Sequence, residues 1–247
     1  MKISRRNFLG SVTGATATLF SFQSIRSVQH SAAPGRNLDC ALLDLNSHCV
    51  LRESLQGYQL ALAGEYNHLL DAWPDSRCHC RMVIVPSLGR MDPAVAQAMS
   101  DFVNDGSWLL LESGAAFLTP REFATHQKGL DRHFNLAVEP PVDLWSGKPE
   151  VESRSSGRHR GKTLDTRGHV PYVSYVWPQE TMVRDFSRVI PVSPQPGDVI
   201  GMMGEMPVAL KKRVGRGTLI FLGSPIGPAL GARDPEAKSW LRSVTAL

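Results

Sequence analysis

Polar side chains that can do chemistry follow four apolar runs of the sequence, each directly after the run ends. These polar stretches are Asn46-Ser47-His48, Ser87 to Arg90, Glu112-Ser113-Gly114 and Gly223-Ser224. A carboxylate, an imidazole, a guanidinium and several hydroxyls are suitable hydrogen-bonding groups for a polar ligand such as a sugar. We therefore predict a polar binding site whose candidate residues are Asn46, Ser87, Arg90, Glu112, Ser113 and Ser224.

The same stretches contain residue types that can act as catalysts. Glu112 is a candidate general base, and Ser113 is a candidate nucleophile with His48 as its base. Polar residues after strands also stabilise turns and helix caps without any ligand. Binding, catalysis and a purely structural role are therefore three open interpretations of these residues.

The four cysteines, Cys40, Cys49, Cys78 and Cys80, all lie in the first half of the chain. Cys78-His79-Cys80 is the weak candidate for a metal site, because structural zinc normally uses cysteine pairs separated by two to four residues. In an exported protein, two disulfides are the favoured state, and one disulfide with two thiols is the alternative. We predict no metal site and no cofactor.

The elements that must position these residues follow an α/β pattern. Apolar runs at 41–45, 82–86, 108–111 and 218–222 predict buried strands. Between the second and third runs, Asp92-Pro93 predicts a helix start and Asn104-Asp105-Gly106 predicts its end. Because strand, helix and strand follow each other closely, the strands are expected to be parallel, and their carboxyl ends to meet at one crevice.

The remaining segments are less regular. Apolar spacing from Leu51 to Leu70 predicts a helix, and Pro235 to Val244 predicts a terminal helix. Residues 119–204 contain a region with aromatic and β-branched residues, which indicates short antiparallel strands.

Composition and charge exclude several classes of protein. The chain has 247 residues, of which 42% are hydrophobic and 20% charged, as in an ordinary globular domain. Residues 1–33 hold Lys2, Arg5, Arg6 and Arg26 and no acid, so 27 Lys+Arg minus these 4 leaves 23, against 23 Asp+Glu. The rest of the chain is therefore close to neutral, and we predict no nucleic-acid partner.

The start of the chain resembles a twin-arginine export signal. Ser4-Arg5-Arg6-Asn7-Phe8-Leu9 matches the S/T-R-R-x-F-L pattern, and a moderately apolar stretch follows it. The resemblance implies a signal peptide over residues 1–33, a periplasmic or secreted protein, and membrane contact only through this segment. A single domain is then predicted over residues 34–247.

Two segments resemble class I glutamine-amidotransferase-like domains. Met82–Phe117 resembles the strand, helix and sharp elbow of that family, and Pro207–Gly223 resembles its late hairpin with a glycine pair before the last apolar strand. The resemblance implies a flavodoxin-like α/β fold: a parallel sheet with helices on both faces. A small irregular or antiparallel β insertion is expected at about 119–204.

The functional residues of that family are absent. The elbow has Glu112-Ser113-Gly114 in place of a cysteine nucleophile, and no histidine follows the late strand in Gly223 to Pro228. Glutaminase chemistry therefore has no nucleophile. We expect an exported binding or accessory protein of the cell envelope, with an envelope protein or a polar ligand such as a carbohydrate as its partner. A hydrolase using Glu112, Ser113 and His48, and a cysteine-based metal or redox protein, are the alternatives.

Overall fold

The computed structural model describes residues 38–45, 51–63, 66–70, 72–73, 80–113, 117, 119–142, 171–186, 188–193 and 197–247. The predicted signal peptide at 1–33 lies outside these residues, as do Asn46, His48, Cys49, Cys78 and His79. Within the described ranges, no helix combines the length and the apolar composition needed to cross a membrane.

The described residues form one nine-stranded sheet with five helices packed against it. The strands are β1 Leu38–Leu43, β2 Tyr66–Leu70, β3 Met82–Leu88, β4 Trp108–Ser113, β5 Tyr172–Tyr175, β6 Thr181–Arg184, β7 Asp198–Met203, β8 Met206–Val214 and β9 Gly217–Leu222. The helices are α1 Arg52–Ala61, α2 Pro93–Asn104, α3 Pro120–Phe134, α4 Gly227–Gly231 and α5 Pro235–Thr245.

The sheet is mixed, with the order β2-β1-β3-β4-β9-β8-β7-β5-β6. Strands β2, β1, β3, β4 and β9 pair in parallel, whereas β9, β8, β7, β5 and β6 pair antiparallel. The prediction of a flavodoxin-like parallel sheet with a small β insertion was therefore wrong. The antiparallel strands continue the same sheet, because β8 forms a hairpin with β9 and extends the hydrogen-bonded ladder beyond the parallel part.

A second correction concerns residues 51–70, for which the apolar spacing predicted one helix. Helix α1 ends at Ala61, and residues Tyr66–Leu70 form the edge strand β2, which pairs in parallel with β1. Apolar spacing alone did not separate the end of this helix from the short strand that follows it.

Local sequence explains where the other helices begin. The Asp92 side chain accepts a hydrogen bond from the backbone N–H of Ala94 at 2.9 Å and caps α2, with Pro93 at its first position. Thr119 and Glu122 form a capping box at the start of α3. The capping box fixes the residue at which α3 begins.

The core consists of two apolar clusters that share the strands between them. Alternate residues of each central strand contribute to each cluster, as Leu110 and Leu111 of β4 show. Tyr58 of α1 and Trp240 of α5 belong to the first cluster, and Met99 of α2 belongs to the second. Consecutive residues at the end of a strand therefore point into different clusters.

Candidate functional site

Four of the six predicted binding residues lie at or directly after the carboxyl ends of neighbouring strands, and these four are buried. Ser87 lies at the end of β3, Glu112 and Ser113 at the end of β4, and Ser224 directly after β9; all four are buried. Arg90 is exposed. Asn46 and His48 lie outside the described residues, so the predicted Ser113–His48 pair stays a prediction.

Glu112 connects three parts of the fold through its carboxylate. Oε2 accepts hydrogen bonds from the backbone N–H groups of Ile226 and Gly227, both at 3.1 Å, and Oε1 accepts one from the Ser54 hydroxyl of α1. Unpaired N–H groups at helix starts favour an anionic partner. The Glu112 carboxylate thus satisfies groups at the start of α4 and ties α1 and α4 to β4.

The environment of Glu112 changes its acidity. Burial raises the pKa of Glu112, and the hydrogen bonds from Ser54, Gly227 and Ile226 oppose that rise. Burial, together with the nearby Glu112 carboxylate, also raises the pKa of the Tyr58 phenol well above its usual value. A buried carboxyl with this set of partners has the character of a structural group.

Ser113 points to the other side of β4 and forms a hydrogen bond with His126 of α3. Its Oγ lies 2.7 Å from His126 Nε2, and both side chains are fully buried. His126 lies on the buried face of α3 with Phe123, Leu130 and Phe134. The structure therefore brings together a hydroxyl and an imidazole that are thirteen positions apart in sequence.

The His126 imidazole is neutral over the physiological pH range. Burial lowers the pKa of His126 from 6.5 to about 4. The Phe117 ring lies 5.2 Å from the imidazole and 5.4 Å from the Phe123 ring, measured between centroids. His126 Nδ1 is buried and has no hydrogen-bond partner among the described residues. A neutral imidazole has one N–H donor and one acceptor nitrogen, so the hydroxyl donates to Nε2 in the Nδ1–H tautomer, and Nε2–H donates to Oγ in the other tautomer.

Ser87 and Ser224 also use their hydroxyls within the protein. Ser87 has a positive φ of 45° in the irregular end of β3, and its Oγ accepts a hydrogen bond from the backbone N–H of Leu51 at 3.0 Å. The Ser224 hydroxyl donates to Asp185 Oδ1 at 2.7 Å, and both residues are buried. These two serines link loops to the sheet.

The two described cysteines are packed in different apolar clusters. Cys40 of β1 and Cys80, just before β3, are both buried, and they belong to different apolar clusters. Within the described ranges, no group of three or more His, Cys, Asp or Glu side chains is arranged for a metal ion. Cys78 and His79 lie outside these ranges, so the predicted disulfides stay predictions.

A second candidate site lies on the face of β5 and β6 opposite to helix α5. We define the outer wing face as Tyr172, Ser174, Met182, Arg184 and Phe186. Strand register places Tyr172 opposite Arg184 and Ser174 opposite Met182, and the Arg184 guanidinium lies 5.0 Å from the centre of the Phe186 ring. Tyr172, Met182 and Phe186 are 43%, 58% and 39% exposed.

The exposed apolar residues concentrate in this region. Of the seven large apolar side chains exposed in the described part of the chain, five lie between residues 172 and 199. They are Tyr172, Val176, Met182, Phe186 and Val199. Three of them, Tyr172, Met182 and Phe186, belong to the outer wing face, and exposed apolar side chains next to polar groups are typical of a binding surface.

Comparison with known proteins shows similarity of fold only. No family model matches the chain, and no curated protein matches its sequence. Among solved structures, an exo-beta-1,4-mannosidase from Opitutaceae bacterium strain TAV5 is 12% identical with a TM-score of 0.54 over 83% of this chain and 35% of that enzyme. A cold-adapted beta-galactosidase from Rahnella sp. R3 is 11% identical with a TM-score of 0.58 over 84% of this chain and 31% of that enzyme.

A third structure matches over almost its whole length. The mmIFT52 N-terminal domain is 13% identical with a TM-score of 0.54, over 84% of this chain and 95% of that domain. This chain thus spans about a third of each glycosidase and nearly all of the mmIFT52 domain. The class defined here is a mixed α/β domain whose fold is shared with part of these glycosidases.

These findings correct the predicted family. The resemblance to class I glutamine-amidotransferase-like domains was wrong, because no family model matches and the similar structures named above are glycosidases and the mmIFT52 domain. The segments 82–117 and 207–223 encode common strand, helix and hairpin signals. Such signals are shared by many α/β proteins and do not identify one family.

Sequence reasoning missed His126, Asp185 and Ser54 as partners of the strand-end residues. His126 had one available signal, since it occupies a position in the apolar stripe of α3 between Phe123 and Leu130. A titratable residue in an otherwise apolar stripe indicates a buried polar contact.

Proposed function

We propose that this protein is a carbohydrate-binding accessory protein of the cell envelope, which binds its ligand on the outer wing face. The observation that carries the proposal is the exposure of Tyr172 and Phe186 beside Arg184 and Ser174 on one side of the sheet. Aromatic rings provide flat apolar surfaces for sugar rings, and adjacent polar groups provide hydrogen bonds.

Two further observations support this proposal. The strand-end residues Glu112 and Ser224 are buried and hydrogen-bonded within the protein, which favours binding elsewhere over binding among their side chains. The mannosidase and the beta-galactosidase with a similar fold are carbohydrate enzymes by name. Export by the twin-arginine route to the periplasm or the exterior is part of the same proposal.

Affinity electrophoresis in gels that contain soluble mannan or galactan tests the binding proposal. We expect the wild type to be retarded in at least one gel, and Tyr172→Ala to lose at least ten-fold in affinity. Leu60→Ala is the matched control, because Leu60 is an exposed apolar residue on α1 and not on the outer wing face. Equal retardation of both variants, or none for the wild type, would contradict the proposal.

A hydrolase is the second candidate function, and a specific distance favours it. Ser113 Oγ and His126 Nε2 are within hydrogen-bond reach, as a nucleophile and its base must be. The names of the similar glycosidases also favour hydrolysis. Turnover of chromogenic glycosides and esters by the purified protein tests this candidate, and a Ser113→Ala variant with unchanged turnover would remove Ser113 from it.

A further inference from the structure

The Ser113–His126 pair carries an inference that goes beyond carbohydrate binding and rests on the second candidate, hydrolysis. We propose that Ser113 and His126 form a nucleophile–base dyad that hydrolyses carboxylic esters, and that the Phe117 side chain covers it. The 2.7 Å contact between Ser113 Oγ and His126 Nε2 and the ring contact between Phe117 and His126 carry this proposal.

The proposed step conserves atoms and charge. As Ser113 Oγ bonds to the acyl carbon of the ester, its proton moves to His126 Nε2 and the carbonyl electron pair moves onto oxygen. When the carbonyl re-forms, the bond to the alcohol oxygen breaks and His126 Nε2 returns the proton to that oxygen. Water then attacks the Ser113 ester by the same proton route, so that one ester and one water give an acid and an alcohol.

The described groups favour ester chemistry over glycoside cleavage at this position. Glycoside hydrolases normally use two carboxyl groups, one on each side of the glycosidic bond that is cleaved. Glu112, the neighbouring carboxylate, belongs to the opposite side of β4 and hydrogen-bonds to Ser54, Ile226 and Gly227. The groups on the Ser113 side of the strand are a hydroxyl and a neutral imidazole, which are the groups that acyl transfer uses.

The environment sets the protonation state of the dyad and limits its strength. With a pKa of about 4, His126 is unprotonated and can accept the Ser113 proton at pH values well above 4, but it is a weaker base than a solvent-exposed histidine. Its Nδ1 has no hydrogen-bond partner among the described residues, so no described carboxylate orients the imidazole, which packs against the Phe117 ring. Because Ser113 and His126 are fully buried, an ester reaches them only after a side chain that packs on the pair has moved, and among the described residues the Phe117 ring contacts the imidazole.

Labelling of the full chain with a fluorophosphonate probe, followed by peptide mass mapping, tests the dyad. We expect covalent label on Ser113 in the folded wild type, at least ten-fold slower labelling in His126→Gln, and several-fold faster labelling in Phe117→Ala. The rate is expected to be half-maximal near pH 4 rather than near pH 6.5. Ser100→Ala is the matched control, because Ser100 is another buried serine, on α2, whose hydroxyl donates to the backbone oxygen of His133, and it should label like the wild type.

Two results would overturn the dyad. One is that the folded wild type carries no label on Ser113. The other is that His126→Gln and Phe117→Ala are both labelled at the wild-type rate. Mapping the label in the wild type keeps the test valid even where a variant folds poorly. Turnover of glycosides without label on Ser113 would retain a hydrolase and overturn this site. Retardation by mannan or galactan depends on Tyr172 and therefore succeeds or fails independently of the labelling.

Discussion

At the scale of single residues, Glu112 shows how a predicted catalytic position can serve the fold. Replacing it by alanine leaves the N–H groups of Ile226 and Gly227 and the hydroxyl of Ser54 without their acceptor. We expect Glu112→Ala to lower the free energy of unfolding by about 3 kcal/mol. Glu112→Gln, which keeps one acceptor oxygen, is expected to lose less than half of that.

Urea unfolding followed by circular dichroism measures both Glu112 variants. Glu205→Gln is the control, since Glu205 is exposed in the turn between β7 and β8 and should leave the stability within about 0.5 kcal/mol of the wild type. If Glu112→Ala unfolds at the same urea concentration as the wild type, the carboxylate does not hold α1 and α4 to β4.

His126 gives the protein a defined sensitivity to acid. Its pKa is about 4 in the folded state and about 6.5 when unfolded. Between these values the unfolded chain binds a proton that the folded protein does not, so the stability is complete above about pH 6.5 and falls as the pH is lowered toward 4. The expected loss between pH 7.5 and pH 5 is about 2 kcal/mol.

Urea unfolding at pH 7.5 and pH 5 measures this effect as the difference between wild type and His126→Gln. The glutamine variant lacks the titrating group and should lose about 2 kcal/mol less on acidification than the wild type. Glu112 acts in the opposite direction, because its pKa is raised in the folded state, but it is present in both proteins and cancels. Equal pH dependence of the two proteins would show that His126 titrates normally.

The sequence was sufficient to place Glu112, Ser113 and Ser224 at strand ends, but their partners required the fold. Apolar runs of four or five residues mark the buried part of a strand. The polar residues that follow such a run therefore lie at the end of the strand or just after it, and the sequence alone identifies them. Ser113 meets His126 because α3 docks the buried face that carries His126 against the Ser113 side of β4. Contacts of this kind depend on helix docking, which no local pattern encodes.

At the scale of elements, glycines determine how closely α1 and α4 approach each other. A Cβ atom on Gly57 would lie 1.8 Å from the backbone oxygen of Gly227, so the two helices would have to separate. We expect Gly57→Ala to lower the melting temperature by at least 10 °C, or to prevent folding, because the displaced helices also lose the Glu112 contacts.

Gly231→Ala is the matched control for this helix pair. A Cβ at Gly231 would lie 3.8 Å from the Cα of Gly57, which is an ordinary contact distance, so the melting temperature should change by only a few degrees. Thermal melts of the two variants under one buffer compare them directly. A Gly57→Ala protein as stable as Gly231→Ala would show that the two helices separate at little cost.

The elements that the sequence predicted correctly are those with strong local signals. The apolar runs at 82–86, 108–111 and 218–222 lie within β3, β4 and β9, and the Asp92 cap starts α2 as expected. The hairpin of β8 and β9 was expected, but strand β2 and the joining of β5–β7 to the main sheet were not predicted. Short edge strands carry little apolar pattern, and the strand that each one pairs with is set by long-range hydrogen bonds.

At the scale of the whole molecule, the continuous sheet predicts that the described domain unfolds as one unit. Trp240 of α5 packs on Tyr175 of β5 with ring centres 4.7 Å apart, and its Nε1 donates to the backbone oxygen of Trp177 at 2.8 Å. Strands β5 to β7 reach the parallel strands through β8 and β9, so loss of this anchor is transmitted through the ladder. We expect Trp240→Ala to lower the free energy of unfolding by about 4 kcal/mol.

The form of the unfolding transition distinguishes one sheet from a core with a separate β subdomain. Far-ultraviolet circular dichroism and tryptophan fluorescence should give coincident urea transitions in the wild type and in Trp240→Ala. Thr245→Ala, at the last turn of the same helix, is the control, and it should shift the midpoint only slightly, because the Thr245 hydroxyl bonds only to carbonyls of its own helix among the described residues. Two separated transitions in Trp240→Ala would mean that β5–β7 unfold independently of the rest of the sheet. Strands that unfold independently would have to fold again when the ligand binds, and the entropy lost in that step would weaken binding. A rigid outer wing face avoids this cost.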